Sequence, residues 1–438
     1  MLAARACYAQ SRYPISLLSG CSLSPQFDLI IGGARLPHSR ELADIGIRNG
    51  LTAAIAPRLE LAAMKEDAGG RLAFGGFVEA HIHLDKAGIL GQCAICEGTL
   101  TEAIALTAKA KAGFTEEDVY ARASRVVEKA ILHGTNRMRS FVEVDPRVGF
   151  RGLEAIKRVK ADYSFAIDID ICAFGQEGLT QEPETLAMLR EALAAGADSL
   201  GGCPYTDVDP VAHVGAIFDL AEEAGVAVDF HADFDLAPEG SILPEIARQT
   251  KARGYAGRVS VGHVTKLSAM APQIVDELAA SLAEAGIAVT VLPATDLFLT
   301  GRDHDRLQPR GLAPAERLRR AGVVVTVATN NVLNPFTPFG DASLVRMANL
   351  YANVAQLARD EELAAAFDMV SSCAAKLLGM SYGLQVGMPA DIVLLDTDDP
   401  ASAVREIAPA LAGWKNGVKT FVRTPAELLR PAPNAEAK

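Results

Sequence analysis

From Phe27 the chain alternates short apolar runs with turns bearing Gly, Pro and Asn. Phe27-Asp-Leu-Ile-Ile31, Asp44-Ile-Gly-Ile-Arg48 and Leu51-Thr-Ala-Ala-Ile55 read as strands of a small antiparallel sheet. Near residue 77 the pattern changes. Long Ala/Glu/Lys/Arg segments of helical period now separate short apolar runs, the order expected of repeated βα units. The strand candidates are Val78–His83, Met138–Val144, Phe165–Ala173, Asp198–Cys203, Ala227–His231, Arg258–Val261, Ala288–Leu292 and Val323–Ala328. Eight such runs predict an α/β chain built on a (β/α)8 TIM-type barrel, with its chemistry at the C-terminal strand ends. After the turn signal Gly387-Met-Pro389, Ala390–Leu395 and Gly417–Val422 return to strand-like runs that can complete the first sheet. The expected organisation is therefore an extension at 1–26, a small β-sandwich domain from 27–76 and 381–425, and a catalytic barrel over 77–380.

Composition narrows the class. The 438 residues are 50% hydrophobic and 22% charged, enough to bury a large core. A net charge of -12 argues against nucleic-acid or anionic-membrane partners. Seven scattered cysteines suit a reducing cytoplasm better than a disulfide framework, and Cys93-Ala-Ile-Cys96 reads as a loop pair rather than a zinc knuckle. Met1–Gln26 lacks acidic residues, but Arg12, Tyr13 and Pro14 interrupt its apolar runs, so it reads as a disordered extension rather than an export signal. No run approaches the roughly 18 uncharged apolar residues of a membrane span.

In Phe77-Val-Glu-Ala-His81-Ile-His83-Leu-Asp-Lys86, two histidines one residue apart point to the same face of a buried strand. Two core histidines would do the same. The alternatives separate downstream: His231 ends the fifth strand candidate, His263 follows the sixth, and Thr329-Asn330-Asn331 follows the eighth. These positions fall at one end of the barrel, as a metal site requires. His38, His133, His213 and His304 lie in loops or helices and read as solvated or structural.

Phe77 to Asp85, Phe174-Gly-Gln176-Glu-Gly178, His231-Ala-Asp233, Gly262-His263 and Asn331-Val-Leu-Asn-Pro335-Phe-Thr-Pro338-Phe-Gly340 occur in an order and spacing that resembles the amidohydrolase superfamily, specifically its cytosine deaminase branch. The triazine-degrading N-isopropylammelide isopropylaminohydrolases look similar too. The resemblance spans about Phe27 to Val422. It implies the same barrel and β-sandwich, and one divalent ion, zinc or iron with manganese as a third option, on His81, His83 and His231. His263 would face the attacking water or developing anion, and Gln176 the amide-like edge of a ring. Three neutral imidazoles leave a coordination position open for water activation.

The departures are informative. The family's metal-binding aspartate at the end of strand eight is Asn330 here, which can ligate but cannot act as a base at neutral pH. The family's proton-shuttling glutamate is Phe234, and its strand-two histidine and aspartate are Phe141 and Glu143. Asp233 and Asp235 are the replacement acids on offer, sharing a side with His231 if the strand stays extended, though Asp233 also has a bracing role open to it. Phe141 and Phe234 would line a pocket less polar than one for cytosine, with Asn331 a further substrate contact. Lys86 is expected to pair with Asp85, and Asp296 and Arg302 to be solvated loop charges. The expectation is a hydrolase of a non-peptide C–N bond in a small cyclic nitrogen compound, a nitrogen heterocycle or cyclic amide, with homo-oligomerisation left open. The alternative is a catalytically altered or inactive protein of the same fold that binds a heterocycle. Isomerase or lyase chemistry is disfavoured, because no phosphate-binding Gly-rich loop follows strands seven and eight.

Overall fold

A computed structural model describes residues 25–37, 39–424 and 426–429. All but the last two residues of the 1–26 extension, and His38, lie outside the described residues. Strands β1 (Phe27–Arg35), β2 (Leu42–Arg48), β3 (Leu51–Ala56), β4 (Ala62–Asp67) and β5 (Leu72–Phe74) open the chain. The barrel follows with β6 (Phe77–Ile82), β7 (Thr135–Glu143), β8 (Asp168–Phe174), β9 (Ser199–Gly202), β10 (Ala227–Ala232), β11 (Val259–His263), β12 (Ile287–Val291) and β13 (Val325–Val327). Strands β14 (Ile392–Leu395), β15 (Ala410–Lys415) and β16 (Val418–Val422) come last and return to the sheet of β1–β5.

The terminal segments build one eight-stranded sheet, with β14 joining the two halves by antiparallel pairing to β5. It is mixed rather than wholly antiparallel, because β1 pairs in parallel with β4 and β5. The chain path is the physical reason: after the β2–β3 hairpin β3 runs in the direction of β1, and residues 57–61 return the chain so that Ala62 of β4 re-enters opposite Phe27 of β1.

The eight barrel strands pair in chain order, all in parallel. The last join, between β13 and β6, is made by a parallel bridge of Ile82 with Asn330. Alternation sorts the side chains. Along β10, Val228 and Phe230 face the helices and enter the main core, so Asp229 and His231 face inward. Local signals set where that strand begins. Asp209 caps the preceding helix Pro210–Ala224 by accepting from Ala212 N–H, and Gly225 ends it at φ +71°. Phe230 then packs on Phe218 of that helix and is fully buried. Truncating it to Ala costs about 3–5 kcal/mol.

Candidate active site

His81 and His83 project inward from β6 and His231 from β10, and their Nε2 atoms converge: His81 and His83 each stand 3.1 Å from His231. Zn–N bonds of about 2.0–2.1 Å put imidazole nitrogens roughly 3.3 Å apart, close to these two separations, and the three ligand atoms all lie within 4.8 Å of one another. Burial, then neighbouring cations, holds all three imidazoles well below the usual histidine range, which leaves them neutral as ligands must be. Phe141 is fully buried and stacks on His81 at 3.9 Å between ring centres. It braces the imidazoles from behind rather than forming an open wall.

Asn330 lies beside this trio. Its N–H donates to His81 O and its carbonyl accepts from His83 N–H, each at 2.8 Å. Its side-chain Oδ1 is buried with no protein partner. An orphaned acceptor next to converging imidazoles is what a further metal ligand looks like before the ion is added.

His263 ends β11 at φ +68° and donates from Nδ1 to Asp296 Oδ1 at 2.7 Å. Asp296 is therefore not the solvated loop charge that the sequence led us to expect. Helix Pro293–Leu299 starts two residues after β12, and its first turn carries Asp296 inward to full burial. Phe234 stacks on His263 at 3.9 Å and also lines an open cleft of about 740 Å³ with Leu100, Leu236, Leu299 and Arg302. Arg302 is an exposed rim residue, its guanidinium donating to the carbonyls of Phe298 and Glu97.

Lys86 departs from expectation as well. Asp85 accepts only its backbone N–H, while Lys86 Nζ donates to Glu143 Oε1 at 2.6 Å and Gln176 Oε1 at 3.3 Å. Local backbone geometry turns the Asp85 carboxylate toward main-chain donors, including Glu143 N–H, so the ammonium reaches the next strand. Gln176 Nε2 donates to Cys203 Sγ and Tyr205 Oη, so its amide is oriented at both ends. Glu143 also accepts from Lys111, whose ammonium fills the space between Glu143, Asp145 and Glu177. That acidic group already holds its cation.

Asp233 and Asp235 do not share a side with His231, because β10 ends at Ala232 and Asp233 turns at φ +51°. Asp233 accepts from Ser241 Oγ and Ile242 N–H, and Asp235 from Lys266 Nζ. Both brace the loop after β10. Asn331 Oδ1 accepts from Asn334 Nδ2 at 2.7 Å. His213 is buried between Asp207 and Cys203 N–H, His133 is partly buried beside Asp341, and His304 is exposed. Cys93 and Cys96 are free thiols. Glu79, Asp229 and Tyr205 were not singled out from the sequence. Two of them carried a signal, since each is an acid two residues before a site histidine on a strand that is otherwise apolar or neutral.

A trio of neutral, buried imidazoles at the C-terminal end of such a barrel is a site that could hold a divalent ion. The chain belongs to the amidohydrolase family, whose profile matches residues 173–421, and is thus a hydrolase of carbon–nitrogen bonds. It is 29% identical over 412 residues to N-isopropylammelide isopropyl amidohydrolase of Pseudomonas sp. (strain ADP), covering 90% of this chain and 97% of that protein. 5-Methylcytosine deaminase from Klebsiella pneumoniae liganded with 5-fluorocytosine superposes with a TM-score of 0.88 at 29% identity, covering 92% of this chain and 100% of that one. N-isopropylammelide isopropylaminohydrolase from Burkholderia multivorans superposes at 0.78 and 30% identity, covering 89% and 97%. Among the described residues no helix is long and apolar enough to cross a membrane.

Proposed function

We propose that the protein hydrolyses a non-peptide C–N bond of a small cyclic amide, amidine or urea carrying an apolar substituent, and that cytosine is a poor substrate. His81, His83 and His231 hold one zinc or iron ion, with Asn330 Oδ1 beside them; when bound, the ion supplies a water nucleophile active near neutral pH. Gln176, fixed by Lys86, Cys203 and Tyr205, presents its amide to the ring edge. His263 takes the proton, since Asn330 and Phe234 cannot, and Asp296 holds the ring with Nε2 free for that task. Phe234 and the cleft behind it accommodate the substituent.

The convergence of three buried Nε2 atoms carries this reading. Its test is metal analysis joined to an amine-release screen over pyrimidines, triazines, hydantoins and cyclic ureas. The expected result is about one ion per chain in the wild type, loss of it in His231→Ala, and release from a substituted ring. Near-zero metal in both proteins after expression with zinc, iron or manganese overturns it. Asn330 and Phe234, each standing where the family resemblance implies an acid, favour a second reading: a protein that binds a heterocycle without turning it over. Metal and ring binding with no amine released from any ring selects that reading.

A further inference from the structure

One pleat below the imidazoles the barrel interior is polar. Asp229 shares the inward face of β10 with His231 and is fully buried. Its Oδ2 accepts from Ser260 Oγ, and Arg139 Nη1 lies 3.9 Å from the same atom, with Arg139 Nε donating to Asp170 at 2.7 Å. Its Oδ1 has no hydrogen-bond partner. That oxygen stands 4.0 Å from His81 Nδ1, which is buried and unpartnered too. An acceptor and a donor-capable nitrogen, each costly to leave unpaired in a dry interior, thus face each other with a closure of roughly 1 Å between them and a hydrogen bond. Nδ1 of His83 and of His231 is also unpartnered, but among the described residues neither has a carboxylate oxygen within 4.0 Å.

We propose that Asp229 is the positioning carboxylate of the metal site: it accepts the Nδ1 proton of His81, and so fixes the tautomer that leaves Nε2 unprotonated and aims it at the ion. The proposal rests on His81 being a ligand. A ligating imidazole needs its other nitrogen anchored, or the ring rotates about χ2 and presents its lone pair poorly. Phe141 stacks on the face of His81 and limits its tilt, but a ring face cannot choose between tautomers. Asp229 is the group that can.

The test is zinc affinity of metal-free wild type and variants, measured by competition with a chromophoric chelator. Asp229→Ala is expected to bind zinc about 10- to 100-fold more weakly. Asp229→Asn, which keeps a carbonyl acceptor and decides the matter if the alanine variant does not fold, should lose less than Asp229→Ala but at least about threefold. Ser260→Ala removes only the Oδ2 partner and should stay within about threefold of wild type. The visible spectrum of the cobalt-loaded Asp229 variants should shift relative to wild type, reporting altered ligand geometry. Unchanged zinc affinity in Asp229→Asn, or an equal loss in Ser260→Ala, overturns the proposal while leaving the ligand set intact. Equally negligible zinc binding by wild type and His231→Ala overturns the ligand set, and this proposal with it.

Discussion

At Asn330 one substituent separates a neutral carboxamide from an anionic ligand and base. The residue sits in the left-handed region at φ +63°, a conformation asparagine tolerates better than most residues, with its backbone bonded to both His81 and His83. Aspartate adopts the same conformation readily, so Asn330→Asp should tighten zinc binding by adding charge at a fixed position. A chelator competition checks this; equal affinity places Asn330 Oδ1 away from the ion. His263 depends on its neighbour differently. Asp296→Asn leaves the helix in place but withdraws the anion that holds Nδ1–H, so kcat on the best ring from the release screen should fall by roughly 100-fold or more, with metal content unchanged. Kinetics paired with metal analysis separates that effect from loss of the ion.

Between elements, the joints near the site are ionic. Lys86 follows β6, Lys111 ends the helix Leu100–Lys111, Glu143 ends β7, and Gln176 and Glu177 follow β8; one chain of contacts from Lys111 through Glu143 to Lys86 fastens them. Burial alone would push the Glu143 carboxyl up, but the ammoniums of Lys111 and Lys86 outweigh it and hold the group at about 2. A depressed carboxyl stabilises the fold above its unfolded value near 4.5, and that contribution is lost as pH falls from about 4.5 through 2. Urea unfolding at pH 5 and pH 3 should therefore show a steeper loss in wild type than in Glu143→Gln. Glu143→Gln should also be less stable at pH 5, since it leaves Lys86 with a weaker partner in a buried place.

At the scale of the molecule, the barrel was legible because each of its strands is a short apolar run set between helical segments. All eight strand positions emerge from that contrast, with ends displaced by a few residues. The imidazole trio was legible because His81 and His83 share strand parity and His231 ends a run. Asp296 was not, because a proline-led helix starting two residues after β12 turns a loop-like acid inward, and no periodicity marks that turn. Lys86 was misassigned for a related reason: neighbours in sequence compete with neighbours across strands, and sequence shows only the first. Asp229 and Glu79 were visible in principle as acids on the inward parity of strands β10 and β6. The space beyond Phe234 is likewise a product of assembled loops, and Leu299→Trp, which fills it, should raise KM for a ring with a bulky substituent at least about fivefold while leaving a bare ring within about twofold.

The seam between the first and last barrel strands has a mechanical meaning. Among the described residues, β6 and β13 are tied there by the bridge of Ile82 with Asn330, whose two hydrogen bonds use the carbonyl of His81 and the amide of His83. The residues that would grip an ion thus also close the ring of strands, so an ion bound there would brace the seam from the side-chain side as the two hydrogen bonds do from the backbone. Amide hydrogen exchange at His83 and Asn330 should accordingly slow by at least about tenfold on adding zinc, ahead of any change in the helices outside. A barrel closed at its own ion site would report occupancy in two backbone protons.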